Sequence, residues 1–197
     1  MNLALFDFDG TITTRETFGD FIRCAVSPLR RAAGVPLFAP MLAGYKLGLV
    51  SGMRIRKSVV AFGLRGAPAE HVRAAGERFA ADFLPGVLRP EAMRRIAWHQ
   101  SQGDKVVLVS GGLDAYLAPW SQQHGLELVC SILEIRDGRL TGGYRGAQCV
   151  GEEKARRVRE RYDLAAYAQC HAYGDTHEDE AMLALAHKRF YRGVERV

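Results

Sequence analysis

Two aspartates one residue apart, Asp7 and Asp9, stand in the stretch LALFDFDGT near the start of this chain of 197 residues. A strand sends alternate side chains to one face, so the apolar lead-in LALF predicts both carboxylates pointing the same way at its carboxyl end. Gly10 then permits a sharp turn away from them. Carboxylates held this close repel one another, and a bound hard cation is the usual remedy.

Three further stretches deliver polar groups after apolar runs or at a helix start. KVVLVSGG ends in Ser110, Gly111 and Gly112, a hydroxyl with exposed backbone N–H groups that suits a phosphate oxygen. Lys154, in GEEK near a helix start, offers a point charge. Asp175 follows QCHAYG, and Asp179 lies one helical turn on, so both can face one centre. Together these groups answer the needs of phosphomonoester hydrolysis. A carboxylate can attack and leave again through an aspartyl-phosphate. A metal and a lysine neutralise the anionic phosphoryl group. A second carboxylate protonates the leaving alkoxide and later deprotonates water.

The elements that must position these residues alternate. EAMRRIAWHQSQG, LDAYLAPWSQQHG, GEEKARRVRERY and THEDEAMLALAH read as helices. KVVLVSGG, LELVC, QCHAYGD and KRFYRG read as strands, and SILEIRDGRLTG as a hairpin turning at Asp137-Gly138. This alternation predicts an α/β fold with a doubly wound parallel sheet. Between the first strand and residue 87 no period-2 pattern occurs. Thr14 or Thr17 is expected to cap a first helix, helical periodicity covers 51 to 62 and 69 to 83, and Pro28, Pro36 and Pro40 are expected to break the intervening stretch into pieces. The expected organisation is a discontinuous α/β core, residues 1–14 and 88–197, with an all-helical cap at 15–87.

DFDGT, VVLVSGG, GEEK and GDTHED resemble the four motifs of the haloacid dehalogenase-like hydrolases, in that family's order and spacing and over nearly the whole chain. The long helical insertion after the first motif resembles the branch that includes phosphoserine phosphatase. The resemblance implies a Rossmann-like core and a magnesium-dependent phosphomonoesterase acting on a small phosphorylated metabolite through an aspartyl-phosphate. It implies that Asp7 is the nucleophile and Asp9 the general acid/base, with Ser110, Gly111 and Lys154 binding the phosphoryl group. Magnesium would be held by Asp7, the backbone carbonyl of Asp9 and Asp175, with Asp179 close behind. Branches doing other chemistry put a different residue at position 9.

The inserted segment bears on substrate. Glu16 falls where phosphoserine phosphatases carry a glutamate that meets the substrate amino group, and a carboxylate there favours an amine-bearing leaving group. Arg54 and Arg56 lie roughly where those enzymes place a substrate-binding arginine. Residues 21 to 66 hold eight Lys or Arg and no Asp or Glu, and 32 to 50 are almost wholly apolar. Two prolines and Lys46 interrupt that run, which argues against a membrane span. An apolar segment bracketed by basic residues is what a helix lying on an anionic bilayer looks like. The cap also resembles, more loosely, that of bacterial phosphatidylglycerophosphatases of the same branch. A phospholipid phosphate is therefore the alternative substrate, and an anionic phospholipid or membrane surface a further partner; otherwise the run forms the cap's own core.

Composition narrows the remaining classes. With 48% hydrophobic and 25% charged residues the chain can bury a real core. Cys24, Cys130, Cys149 and Cys170 are scattered without zinc spacing and predict reduced thiols rather than a disulfide framework. The start MNLALFDFDG has no basic leader region, so a cytoplasmic protein is expected, at most peripheral to the inner membrane face. Nucleic-acid binding fits poorly, because the basic region is also the apolar one and lacks interleaved aromatic residues. A phosphotransferase or mutase would need a second acceptor site. A non-catalytic phospholigand-binding protein would have lost a nucleophile, lysine or metal carboxylate, and none is missing. His177 lies within the last motif and is expected to be exposed.

Overall fold

β1 (Leu3–Phe6) is buried along its whole length, as a strand covered on both faces must be. The computed structural model describes residues 1–196; Val197 and the side chain of Lys46, both within segments discussed above, lie outside the described residues. After β1 the chain forms α1 (Phe18–Ala25), α2 (Pro28–Lys46), α3 (Gly52–Leu64) and α4 (Ala69–Arg78), with a π turn at Phe79–Phe83 and a 3-10 turn at Leu84–Val87. Then α5 (Pro90–Ser101), β2 (Lys105–Leu113), α6 (Asp114–Gln123) and β3 (Glu127–Ser131) alternate. The hairpin β4 (Leu133–Arg136) and β5 (Arg139–Tyr144) stands apart, and its turn sits at Asp137 and Gly138, both at positive φ. α7 (Glu152–Arg161), β6 (Cys170–Gly174), the single-turn α8 (Glu180–Leu183), β7 (Lys188–Tyr191) and β8 (Val194–Arg196) complete the chain.

The main sheet runs β3-β2-β1-β6-β7-β8, parallel except for β8. From β1 the chain builds outward through β2 and β3, then crosses to the other side of β1 for β6. The strand order therefore reverses between β1 and β6, and the crevice at their carboxyl ends is where such a sheet binds ligands. Register places Phe6 opposite Tyr173, and Tyr173 opposite Phe190. The three rings stack in a ladder, with centroids 4.1 and 4.6 Å apart and planes within 8°. Tyr173 Oη meets His99 Nε2 at 2.9 Å, and His99 Nδ1 meets Asp104 Oδ2 at 2.8 Å, so these buried polar atoms are satisfied.

One core face packs Leu3, Leu5, Val107 and Val109 against Val158 of α7 and Met182 of α8. The opposite face continues from Phe6 and Phe8 through Tyr116 and Trp120 of α6 into Phe21 of α1 and Phe79. α4 meets α6 at backbone distance: a Cβ at Gly76 would fall 1.8 Å from the carbonyl oxygen of Ala115.

The doubly wound parallel sheet is as expected, and four local expectations are corrected. Pro36 and Pro40 do not break the chain but sit inside one continuous α2. Both are exposed, so water can take the carbonyls that lose their N–H partners. Thr17 occupies the N-cap of α1 without capping it, because its hydroxyl is committed to Asp9. The helix expected at 176–187 shrinks to a 3-10 turn and one turn of α8, as Asp179 is drawn back into a capping box with Thr176. β8 was not expected; three residues carry too little periodicity to register.

Candidate active site

Asp7 and Asp9 follow β1 directly, and the Asp7 N–H is held by the Tyr173 carbonyl of β6 at 2.9 Å. Asp7 and Asp179 are almost fully buried; Asp9 and Asp175 are half-buried. Asp7, Asp175 and Asp179 each offer a carboxylate oxygen within 4.8 Å of the other two. Lys154, buried in the first turn of α7, donates from Nζ to Asp7 Oδ1 and to Asp179 Oδ1, the latter at 2.6 Å. The second oxygen of Asp179 accepts from the N–H groups of Asp175 and Thr176 at 3.1 and 3.0 Å. Asp175 Oδ1 accepts from Thr11 Oγ1 at 3.1 Å. Gly10 is at φ 81°, and a Cβ there would lie 2.3 Å from Asp175 Oδ2, so the turn after β1 admits only glycine beside that carboxylate.

Asp9 is tied to the inserted segment instead: its Oδ1 accepts from Thr17 N–H at 2.8 Å and Thr17 Oγ1 at 2.6 Å. Burial pushes Asp9 above the usual carboxylate range against the pull of those two bonds. Burial likewise pushes Asp7 well upward, against Lys154. Burial also raises Asp179, but Lys154 and the backbone N–H bonds outweigh it and hold this carboxyl low. Burial opposes the charge on Lys154, yet Asp7 and Asp179 keep it firmly protonated. One ammonium cannot neutralise three converging carboxylates when all are ionised. The cluster's donors are all hard oxygens, and the arrangement fits a divalent ion such as magnesium.

Ser110 is buried on β2, where its Oγ accepts from Gly112 N–H at 3.0 Å. Ser110, Gly111 and Gly112 line one inner cleft with Asp7, Asp9, Lys154, Glu16, Arg56 and Glu178. Its free volume is only about 20 Å³, room for a water and no more. Two of its lining residues form an ion pair: Arg56 Nη2 of α3 donates to both oxygens of Glu178, at 3.0 and 2.9 Å. Outside lies a wider cleft of about 580 Å³, which shares Glu16, Phe18, Arg56, Thr176 and Glu178 with the inner one and extends to Leu42 and Tyr45 of α2. Glu16 is exposed at the cleft edge, yet local desolvation and the nearby Asp9 carboxylate raise it to about 7 although Arg56 pulls it down.

Of the residues singled out in the sequence, Asp7, Asp9, Glu16, Arg56, Ser110, Gly111, Lys154 and Asp179 line the inner cleft, and Asp175 joins through the carboxylate cluster. Arg54 is exposed on α3 and is not among the described residues lining either cleft. His177 is exposed at the outer cleft. Thr11, Thr176 and Glu178 are not singled out by the sequence, and Thr17 only as a helix cap. Only Thr176 carried a signal, the T-x-x-D spacing of a capping box.

The sequence model for haloacid dehalogenase-like hydrolases matches residues 4–184. The chain belongs to that family. Protein CicA of Caulobacter vibrioides (strain NA1000 / CB15N) is 34% identical over 195 residues, spanning 96% of this chain and 85% of that protein. Among solved structures, a protein of unknown function from Bordetella pertussis Tohama I superposes with TM-score 0.77 at 24% identity, over 95% of this chain and 88% of that one. A substrate-bound phosphoserine phosphatase superposes with TM-score 0.68 at 23% identity, over 96% and 84%. At these identities the two structures speak for the fold.

Proposed function

We propose that this family member is a magnesium-dependent phosphomonoesterase working through an aspartyl-phosphate on Asp7. The observation that carries the reading is the convergence of Asp7, Asp175 and Asp179 around Lys154, with a second carboxylate, Asp9, held beside them by Thr17 and raised by burial. Asp7 attacks phosphorus as the bond to the ester oxygen breaks. Asp9, protonated, donates to the departing alkoxide. It then takes the proton from a water that attacks the same phosphorus and frees Asp7. Ser110 and Gly111 cradle the phosphoryl oxygens, and Lys154 balances their charge. Asp7, the Asp9 carbonyl, Asp175 and Asp179 would hold magnesium, which supplies charge neutralisation to the incoming phosphate.

In this reading residues 15–87 act as a cap that opens to admit substrate, since the inner cleft has no room for one while Arg56 and Glu178 are joined. The first substrate class is a small phosphorylated metabolite with an amine near its ester, received by Glu16. The extension of the outer cleft to Leu42 and Tyr45 favours a second: a phosphomonoester on an apolar tail. The test is phosphate release with and without magnesium, using Asp7→Asn as the blank. Phosphoserine and other small esters would run beside lysophosphatidate and phosphatidylglycerophosphate in mixed micelles. Turnover that needs magnesium and is lost in Asp7→Asn supports the mechanism, and the preferred ester selects the substrate class. Equal activity in Asp7→Asn overturns it.

A further inference from the structure

A helix apolar on every side is ordinarily buried. α2 carries charge only at Arg30, Arg31 and Lys46, yet among its described residues Gly34 alone is fully buried. It rests on α3 through Gly34 and Phe38 against Phe62, whose ring lies 5.5 Å from that of Phe38. The remainder faces outward. Leu29 is 83% exposed, Val35 69% and Leu37 57%, and just past the helix Leu47 and Leu49 are 74% and 75% exposed. An apolar groove of about 500 Å³ runs between α1, α2 and α3 along Ile22, Val26, Phe38 and Phe62. Arg23, Arg30 and Arg31 also line it, and Arg31 Nε is buried there without a hydrogen-bond partner.

An apolar face of this extent marks a surface that something covers, and charge says what. Residues 21 to 66 contain eight basic residues and no acid; Arg23 is paired with Asp20 and Arg56 with Glu178, while Arg30, Arg31, Arg54, Lys57 and Arg65 have no acidic partner among the described residues. A second copy docking face to face about a two-fold axis would set these like charges against themselves. A layer of anionic headgroups would attract them while its acyl boundary takes the leucines. No helix among the described residues is long and apolar enough to cross a membrane, so α2 would lie along the surface. At about 1.5 Å per residue its 19 residues span roughly 29 Å of it. The outer cleft reaches this same surface at Leu42 and Tyr45.

We propose that the exposed face of α2, with its groove, is a docking surface for an anionic phospholipid bilayer. That the docked cleft then meets a phosphoester at the bilayer rests on the phosphatase reading; the docking itself does not. The test needs no turnover. The full-length protein is sedimented with vesicles of phosphatidylcholine alone or of equal parts phosphatidylcholine and phosphatidylglycerol. At about 0.1 M salt at least about tenfold more protein should bind the anionic vesicles, and about 1 M salt, which shortens screening to about 3 Å, should release most of it. Leu37→Asp/Leu49→Asp and Arg23→Gln/Lys57→Gln should each lose binding. Circular dichroism unchanged from the parent shows that each variant is folded. Equal binding to both vesicle types, or folded leucine variants that bind like the parent, overturns the proposal. So does concentration-dependent dimerisation that needs Leu37 and Leu49 without vesicle binding, which assigns the face to a second copy. Vesicle binding without phosphatase activity would leave the docking standing and remove only the hydrolytic reading.

Discussion

Thr17 gives both its backbone N–H and its hydroxyl to a single oxygen of Asp9, at 2.8 and 2.6 Å. A residue at the start of a helix normally turns its hydroxyl back on the helix's own N–H groups. Here it faces outward and fixes a carboxylate eight residues earlier, so the first inserted helix and the strand-end acid are positioned by one contact. Tyr116 Oη, 3.4 Å from Thr17 Oγ1, braces the same hydroxyl from α6.

Replacing Thr17 by Val removes one of those bonds and leaves the Asp9 carboxylate free to rotate. Burial already raises this carboxyl, and losing a bond that pulls it down raises it further. We expect kcat to fall by about ten- to a hundredfold, a part of what a positioned acid/base contributes. The limb of the pH profile that reports Asp9 should move to higher pH. Thr17→Ser, which keeps the hydroxyl, should restore most of both. Steady-state kinetics against pH checks this.

Glu16 makes a contribution of definite sign to the pH dependence of stability, opposite to that of the lowered carboxyls of Asp179 and Glu153. Its carboxyl is raised from about 4.5 to about 7 in the folded chain. Across that window the folded chain holds a proton that the unfolded chain has released. The stabilisation is therefore complete below about pH 4.5 and is lost as pH rises through about 7. Glu16→Gln should flatten this part of a melting-temperature profile. If Glu16 receives a substrate ammonium, KM for an amine-bearing ester should fall as pH rises through about 7 in the parent and stay level in the variant.

The Arg56–Glu178 pair joins α3 to the turn after β6, and both side chains are mostly shielded from solvent. Glu178→Gln should loosen this contact. Hydrogen exchange in α3 should quicken relative to the parent, while exchange in β1 and β6 stays unchanged. Where opening limits turnover, kcat should rise or hold while KM worsens by less than about tenfold.

Gly76 tests the seam between α4 and α6 without touching the cleft. Its missing Cβ is what lets the helices meet at the Ala115 carbonyl. Gly76→Ala must push them apart, and overpacking of this kind costs about 1–3 kcal/mol. Denaturant unfolding should show that loss.

The strand-end residues were legible because their signal is local: an apolar run, a small or acidic residue and a glycine lie together in the chain. Asp7, Ser110, Lys154 and Asp175 could each be found without knowing what they meet. Thr17 and Glu178 could not, because their roles exist only through partners 8 and 122 residues away. The continuity of α2 was hidden by Pro36 and Pro40, whose cost depends on exposure, which sequence does not state. Asp179 was read as standing behind the metal ligands. The short turn that folds it back among them is set by its own bonds to Thr176 and Asp175.

The stacked rings of Phe6, Tyr173 and Phe190 perform no chemistry, yet Asp7 is the next residue after one ring and Asp175 the second after another. If β6 paired with β1 one residue out of step, Tyr173 would swing to the other side of the sheet. Asp175 would travel with it by about 3.3 Å. The misthreaded chain would lose the ring contacts and the ligand geometry in the same event. The ladder thus ties an inert apolar contact to the same register that brings the carboxylates following β1 and β6 together.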